Sequence, residues 1–462
     1  MGTRVVNGVR SCCLAGQDGV FYDCHAAGIR CAVLEVSDVR ATANAGKTYF
    51  DLGIISVSHG FSDGFSGLLA PVLALIVIEF GLSELQTGLL LSLPGLATFL
   101  LILPVSLIAD LRRNRLELFV AGLALASAAY FSMAHVGTFG VLLALAFLAR
   151  CGNAVFHPCG TALVAERFPD RRAMAISVFG IAGTVGAAGI PLIQGLIADV
   201  AGWRFSIAVF AIPVALLLPL IWMRYRRIRG GQPPAGPKPL VTDTISMLRQ
   251  SLQLFRTVFH NQRVVGLGVT YALTAIAAKS STGFLPLLGV RRFAMSTAEI
   301  GLMVSLYYAS GIAFKALAVL FYRRLGTGMA LRIPLALSLG AVLGMVVAPS
   351  AGFLMVLVVI AGFANSISPI VLTATADSCA PSQLTSSVGL VYWLHSMWFV
   401  GPLLGGAIAD HFGLLWVYVF AAAVFAGAAG VTVARFNATA DAAESAESRK
   451  EDGRIDPADR QE

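Results

Sequence analysis

Apolar runs of roughly twenty residues or more, separated by short loops that carry the charges, fill this chain from Asp51 to Val433. The hydrocarbon layer of a bilayer is about 30 Å thick and a helix rises about 1.5 Å per residue, so each run is long enough to cross it. The pattern predicts twelve membrane-spanning helices. Spans 1 to 6 are Asp51 to Glu79, Thr87 to Ala109, Leu116 to Ala134, Phe139 to Ala162, Ala173 to Ala198 and Phe205 to Trp222. Spans 7 to 12 are Val264 to Val290, Ile300 to Phe321, Ala330 to Pro349, Phe353 to Thr375, Leu384 to Ala409 and Leu414 to Val433.

A basic, Pro- and Gly-rich stretch between spans 6 and 7 divides the twelve into two sets of six. Gly230 to Pro239 cannot continue a helix, and Met247 to Phe259 then reads as an amphipathic helix lying on the membrane surface through Leu248, Leu252 and Leu254 or Phe255. The organisation expected is an N-terminal tail (1–49), a six-helix bundle (50–223), a linker (224–262), a second bundle (263–435) and a C-terminal tail (436–462). Both tails are expected to be disordered. Cys12, Cys13, Cys24, His25 and Cys31 lack the paired spacing of a zinc site, so no metal is assigned there.

The halves spell the same words. Pro191-Leu-Ile-Gln-Gly-Leu-Ile-Ala-Asp199 returns 211 residues later as Pro402-Leu-Leu-Gly-Gly-Ala-Ile-Ala-Asp410, and the register carries Pro158 onto Pro369, Glu166 onto Asp377 and Gly202 onto Gly413. The fold class is therefore an all-α polytopic membrane protein of twelve helices in two pseudo-symmetric halves. Transporters are built this way, because two similar bundles rocking about a midplane site expose it to each side in turn.

Composition agrees: 57% of residues are hydrophobic and 13% charged, too few charges for a chain whose main solvent is water. The net charge of +8 does not mark a nucleic-acid binder, because the basic residues are scattered over loops. Arg112, Arg113, Arg115, Arg167, Arg171, Arg172, Arg323, Arg324, Arg332 and the linker fall on one side, against Arg204, Arg291 and Arg292 on the other. Basic loops stay cytoplasmic, so both termini are expected in the cytoplasm of a multi-pass protein of the inner (plasma) membrane. Ala41 to Thr48 fits a relaxed phosphate-loop template, but that loop needs a buried strand before it and a soluble helix after it. No nucleotide or other cofactor is expected, and uphill transport would draw on an ion gradient.

Ionisable groups inside a span cost about 2.5 to 3.5 kcal/mol or more and persist for a reason. His59 and Asp63 lie four apart on span 1, and Arg150 and His157 seven apart on span 4. Lys279, Lys315 and His395 fall in spans 7, 8 and 11, with Lys315 placed to snorkel towards the nearer surface. Asp63 is the best candidate proton carrier, with His59 and His157 beside it: desolvation favours the neutral carboxyl and a neighbouring cation the charged one, so substrate arrival or departure can switch it. Arg150 and Lys279, with Asn153 and His395, are the candidate substrate-binding residues, and a cavity with cations at its waist suits anionic compounds. The alternative for either cation is a structural ion pair with Asp63. The glycines Gly180, Gly183, Gly186 and Gly189, followed by Pro191, predict a smooth face on span 5 against which another helix slides. Pro158 frees carbonyls near Asn153.

Twelve spans as six plus six, with a long central linker, resemble the major facilitator superfamily. Ser58-His59-Gly-Phe-Ser-Asp63, Glu79-Phe80-Gly-Leu-Ser83 and Gly152-Asn-Ala-Val-Phe-His157-Pro158 are similar to the fosmidomycin-resistance-type subfamily. The resemblance implies drug or metabolite efflux in exchange for protons, and gating by Asp110 and Arg115 after span 2 and by Gly183, Gly186 and Pro191 in span 5. Departures from the family pattern are Ser106 and Arg113 in the loop after span 2, Arg323 near the place of Asp110 in the second copy, and Cys159 where an acidic residue is expected. Arg150 resembles the span 4 arginine of drug/proton antiporters. The expected function is proton-coupled export of a small anionic or amphipathic compound by a monomer. Its alternative is an importer or uniporter of a small organic anion. A membrane-embedded enzyme or a sensor is disfavoured, since the spans hold no paired carboxylates or nucleophile elbow and the chain holds no sizeable soluble domain.

Overall fold

The structure is a computed structural model that describes residues 3–6, 9–15, 21–23, 32–33, 37–112, 115–168, 171–229, 259–380 and 383–436. They divide into two compact units, Met1–Ile54 and Ile55–Glu462. The expected surface helix at Met247 to Phe259 and the tail from Asn437 lie outside the described residues, Phe259 excepted.

The described residues of the first unit include short strands within the expected N-terminal tail. Thr3–Val6, Val9–Ala15, Phe21–Asp23 and Ala32–Val33 form four antiparallel strands in sequential order. Val5, Val6, Val9, Phe21, Tyr22 and Val33 are strand formers, which a search for twenty-residue apolar runs passes over. A helix then begins at Ser37, well before Asp51, and runs to Phe65. Ala41 to Thr48 lies inside that helix rather than at a strand-to-helix turn, so it has no phosphate-loop geometry.

The second unit is the membrane bundle. Among the described residues ten stretches are long and apolar enough to cross a bilayer, and one of them, Met174–Arg224, holds both expected spans 5 and 6, broken where Gly202 takes φ 79°. Gly413, its repeat partner, takes φ 94°. Each glycine turns the chain three residues after a repeated aspartate, in a backbone region that other residues rarely enter. Spans 8 and 9 likewise follow without a loop, as Thr297–Val347, interrupted at Gly326.

Span 1 is the remaining one, and it is broken. After Phe65 the backbone tightens into three-residue turns, with Ser66 N donating to Asp63 O at 3.1 Å and Gly67 N to Gly64 O at 2.9 Å, before helix resumes as Leu73–Phe80. Gly64, Gly67 and Pro71 cluster there, and proline has no N–H to continue the ladder. Spans 10 and 11 carry similar interruptions, 3-10 turns at Gly362–Ser366 and Ser396–Phe399.

Candidate functional site

Asp63 ends the regular helix of span 1, just before the break. His59 lies one turn back, its Nε2 3.3 Å from Asp63 Oδ2, and His157 reaches in from span 4 with Nε2 3.3 Å from Oδ1. The structure thus brings His157 from span 4 to the His59–Asp63 pair of span 1. His59 Nδ1 lies 2.7 Å from the carbonyl oxygen of Phe179 on span 5, and the two rings stack with centroids 3.9 Å apart. A carbonyl only accepts, so Nδ1 carries the hydrogen. In the neutral ring Nε2 is then a bare lone pair facing a carboxylate oxygen. Two acceptors repel, and the contact becomes attractive only with a further proton in the gap, on the ring or on Asp63.

These ligand atoms all lie within 4.8 Å of one another, the one such group of His, Cys or acidic residues among the described residues. A zinc ion takes similar donors, but two neutral rings and one carboxylate would leave a divalent ion uncompensated in an apolar span. A single proton neutralises the group.

Gly183 makes the cluster possible. A Cβ there would come within 2.6 Å of His59 Cε1 and closer still to Asp63 Oδ2, so span 5 can cover the pair only without a side chain. Gly186 packs against the Gly60 backbone in the same way. Gly180 and Gly189 do not join them, since a Cβ at either would meet nothing within 4 Å. At 100° per residue a step of three turns the face back by about 60°, so the glycine series winds around the helix. Gly183 and Gly186 face span 1, and Gly180 and Gly189 face away.

Arg150 sits one layer from the cluster. Its Nε donates to Thr98 Oγ1 at 2.9 Å and Nη1 to Ser66 Oγ at 2.5 Å. Lys279 Nζ lies 3.5 Å from Tyr308 Oη. Both cations lie by the ring of Trp398 on span 11, at 5.8 Å for Arg150 and 5.6 Å for Lys279 from its centroid. The ion-pair alternative is absent among the described residues: Asp63 pairs with the histidines, and neither cation reaches it. Cations resting on hydroxyls and an aromatic face keep their charge available to an anion.

The other candidates separate. Asn153 is 1% exposed and holds Ser62 through both ends of its amide, at 3.4 and 3.3 Å, so it fastens span 4 to span 1 in this state. His395 stacks on Tyr271 with centroids 4.0 Å apart. Arg115 pairs with Glu166, and Asp377, the repeat partner of Glu166, accepts from Tyr322. The Asp110 side chain lies outside what is described. Sequence reasoning missed Phe179, Thr98, Ser66 and Trp398; only Trp398, one of five tryptophans, carried a compositional signal.

Two six-helix halves with charged and titratable side chains inside their spans define a polytopic transporter-type bundle. The chain belongs to the Major Facilitator Superfamily, whose model matches residues 55–296 and again 267–458. It is 28% identical over 206 residues to the fosmidomycin resistance protein of Escherichia coli (strain K12), a match covering 43% of this chain and half the length of that relative. In fold it is similar to a bacterial homologue of the human lysosomal transporter Spinster in an inward-facing, unoccupied conformation. That likeness has a TM-score of 0.68 at 17% identity, over 84% of this chain and 96% of that one. The nucleoside transporter NupG gives a TM-score of 0.67 at 13% identity, over 84% and 99% of the two chains.

Proposed function

We propose that this chain is a proton-coupled antiporter that exports a small anionic or amphipathic compound across the inner membrane, with its basic loops and both termini in the cytoplasm. The observation that carries the reading is the His59–Asp63–His157 cluster, in which an anchored imidazole faces a carboxylate across a gap that needs a proton. Proton binding and release there is the coupling step. Arg150 and Lys279, one from each half, supply the positive field for the substrate, with Trp398 between the halves offering an aromatic face. Arg150 donates to Ser66, three residues from Asp63, so an anion that draws the guanidinium away alters the surroundings of the carboxylate. The direction, export, is supported by the similarity to the fosmidomycin resistance protein.

The test is a susceptibility panel including fosmidomycin in an efflux-deficient host, with and without this chain, followed by transport of the protected compound in proteoliposomes. An imposed pH gradient should drive accumulation that the same vesicles at equal pH do not show. Accumulation indifferent to the gradient would replace the antiporter with a uniporter of the same fold.

A further inference from the structure

The repeated string ending in aspartate has no part in the proton or anion chemistry, yet both halves carry it, as Pro191 to Asp199 and Pro402 to Asp410. Both copies end at the face carrying Arg204, Arg291 and Arg292, opposite the basic loops. There each aspartate leaves its own half. Asp199, at the end of span 5, accepts from the backbone N–H of Thr297 at 3.0 Å and of Ala298 at 3.2 Å, and from the Thr297 hydroxyl. Asp410, at the end of span 11, accepts from the backbone N–H of Glu84 at 2.8 Å. Thr297 opens span 8 and Glu84 opens span 2.

The accounting of helix-end donors explains why these carboxylates fit. The first four N–H groups of a helix lack partners within it. Span 8 starts with a capping box in which Ser296 Oγ takes Glu299 N at 3.2 Å and Glu299 Oε2 takes Ser296 N at 2.8 Å, while Ile300 N bonds Ser296 O. Thr297 N and Ala298 N are what remain, and Asp199 takes both. Span 2 starts the same way: Ser83 Oγ takes Gln86 N at 3.2 Å, Gln86 Oε1 takes Ser83 N at 2.9 Å and Thr87 N bonds Ser83 O. Asp410 takes Glu84 N from the group left over. A carboxylate at a helix N-terminus is further favoured by the helix dipole.

The glycines of the same strings bring the helices close enough. A Cβ at Gly406 would come within 2.6 Å of the Glu84 carbonyl, and one at Gly88 within 2.5 Å of the Pro402 carbonyl. Gly195 and Gly301 meet the Thr297 and Pro191 carbonyls in the matching arrangement. Arg291 adds an ion pair to Glu84 across the halves.

We propose that Asp199 and Asp410 are a paired latch: each caps the opening helix of the opposite half, and together they hold this end of the transporter shut while the other end is free to exchange substrate. The capping box leaves donors that the chain's own half does not satisfy, so the latch re-forms each time the halves close and is surrendered to water each time they part. Asp199, with three donors against one, is the stronger side. The inference is independent of the proton and anion assignments, because its readout is a distance between the halves.

The experiment places spin labels at Val200→Cys and Phe412→Cys, exposed positions beside the two aspartates, in a background with the seven native cysteines replaced by serine. Removing a cap typically shifts an equilibrium by about three- to thirty-fold. Asp199→Ala should raise the ratio of long to short distances by about that factor, Asp410→Ala by less, and the double variant by the most. Asp199→Asn, which keeps an acceptor, should restore most of the short-distance population. Thr297→Val removes one donor at nearly constant shape and should give a small shift in the same direction. Membrane abundance and gel-filtration profile identify folded variants. Parent-like distances in the folded double variant overturn the latch; if that variant does not fold, parent-like distances in Thr297→Val do so.

Discussion

The two halves keep the same closure and different chemistry. At the offset that carries Asp199 onto Asp410 and Pro158 onto Pro369, His59 and Asp63 fall on Thr270 and Thr274, Arg150 on Ala361 and His157 on Ser368. Every titratable member of the N-terminal cluster is a hydroxyl or a methyl in the C-terminal half. Thr274 Oγ1 turns back to its own helix, donating to Thr270 O at 2.7 Å, where Asp63 turns outward to two histidines. Lys279, one of the lysines in the spans of the second half, instead sits beside Tyr308 and Trp398. On the proposed reading, what the duplication preserved is the contact between the halves, and what it let diverge is the site, for which one proton carrier suffices. On that reading an asymmetric site lets one half respond to a proton while the other contributes charge to the substrate.

The comparison breaks most sharply at Asp63. Asp63→Asn keeps the shape but cannot give up a proton, so gradient-driven transport should be abolished while counterflow of labelled substrate at equal pH continues. Accumulation under a pH gradient that survives in Asp63→Asn places the coupling group elsewhere. Next in size is the substrate field. Arg150→Gln or Lys279→Gln each removes one charge-assisted contact and should weaken binding of an anionic substrate by about 1.5 to 3 kcal/mol, roughly ten- to 150-fold. Parent-like affinity by equilibrium binding in both variants removes the anionic-substrate reading. A smaller, local effect is expected at Gly183→Ala, where the added methyl must push His59 or Asp63 aside. Gradient-driven transport should fall several-fold there, while Gly180→Ala, whose methyl meets nothing within 4 Å, leaves it unchanged. Equal behaviour of the two glycines would show that the close cover of span 5 over the cluster is immaterial.

How much of this was legible in the chain follows from the range of the interactions. Span length and the repeat are local or self-referential properties, so twelve spans in two halves could be read from apolar runs and from the paired Pro-to-Asp strings. The partners of Asp63 were legible in part: His59 is four residues away on the same helix, and His157 stood out as a titratable group in an apolar run. The Phe179 carbonyl, 120 residues from His59, was not, because any backbone carbonyl can accept and no side chain announces it. The break after Phe65 was hidden for a different reason. Gly64, Gly67 and Pro71 are tolerated inside spans when neighbours satisfy the freed backbone groups, so their presence in an apolar run did not separate a kink from a continuous helix. The glycines of span 5 were legible as a small-residue series, but not which of them meets a neighbour, since the helical period distributes a spacing of three over several faces.

The smallest expected effect tests the comparison from its quiet side. Thr274 is 3% exposed, and its hydroxyl is spent on its own helix rather than on any group across the halves. Thr274→Val exchanges that hydroxyl for a methyl of similar size, removing one buried hydrogen bond whose net worth is about 0.5 to 1.5 kcal/mol and leaving the Thr270 carbonyl with its helical partner. Thermal unfolding in detergent should register that small loss. Gradient-driven transport and substrate affinity should stay within about two-fold of the parent, because a change of that size falls on both conformations of the transporter alike and shifts neither against the other. Loss of coupling in Thr274→Val on the scale of Asp63→Asn would mean that the hydroxyl positions of the second half relay the proton too, and the asymmetry between the halves would then be one of residue type and not of role.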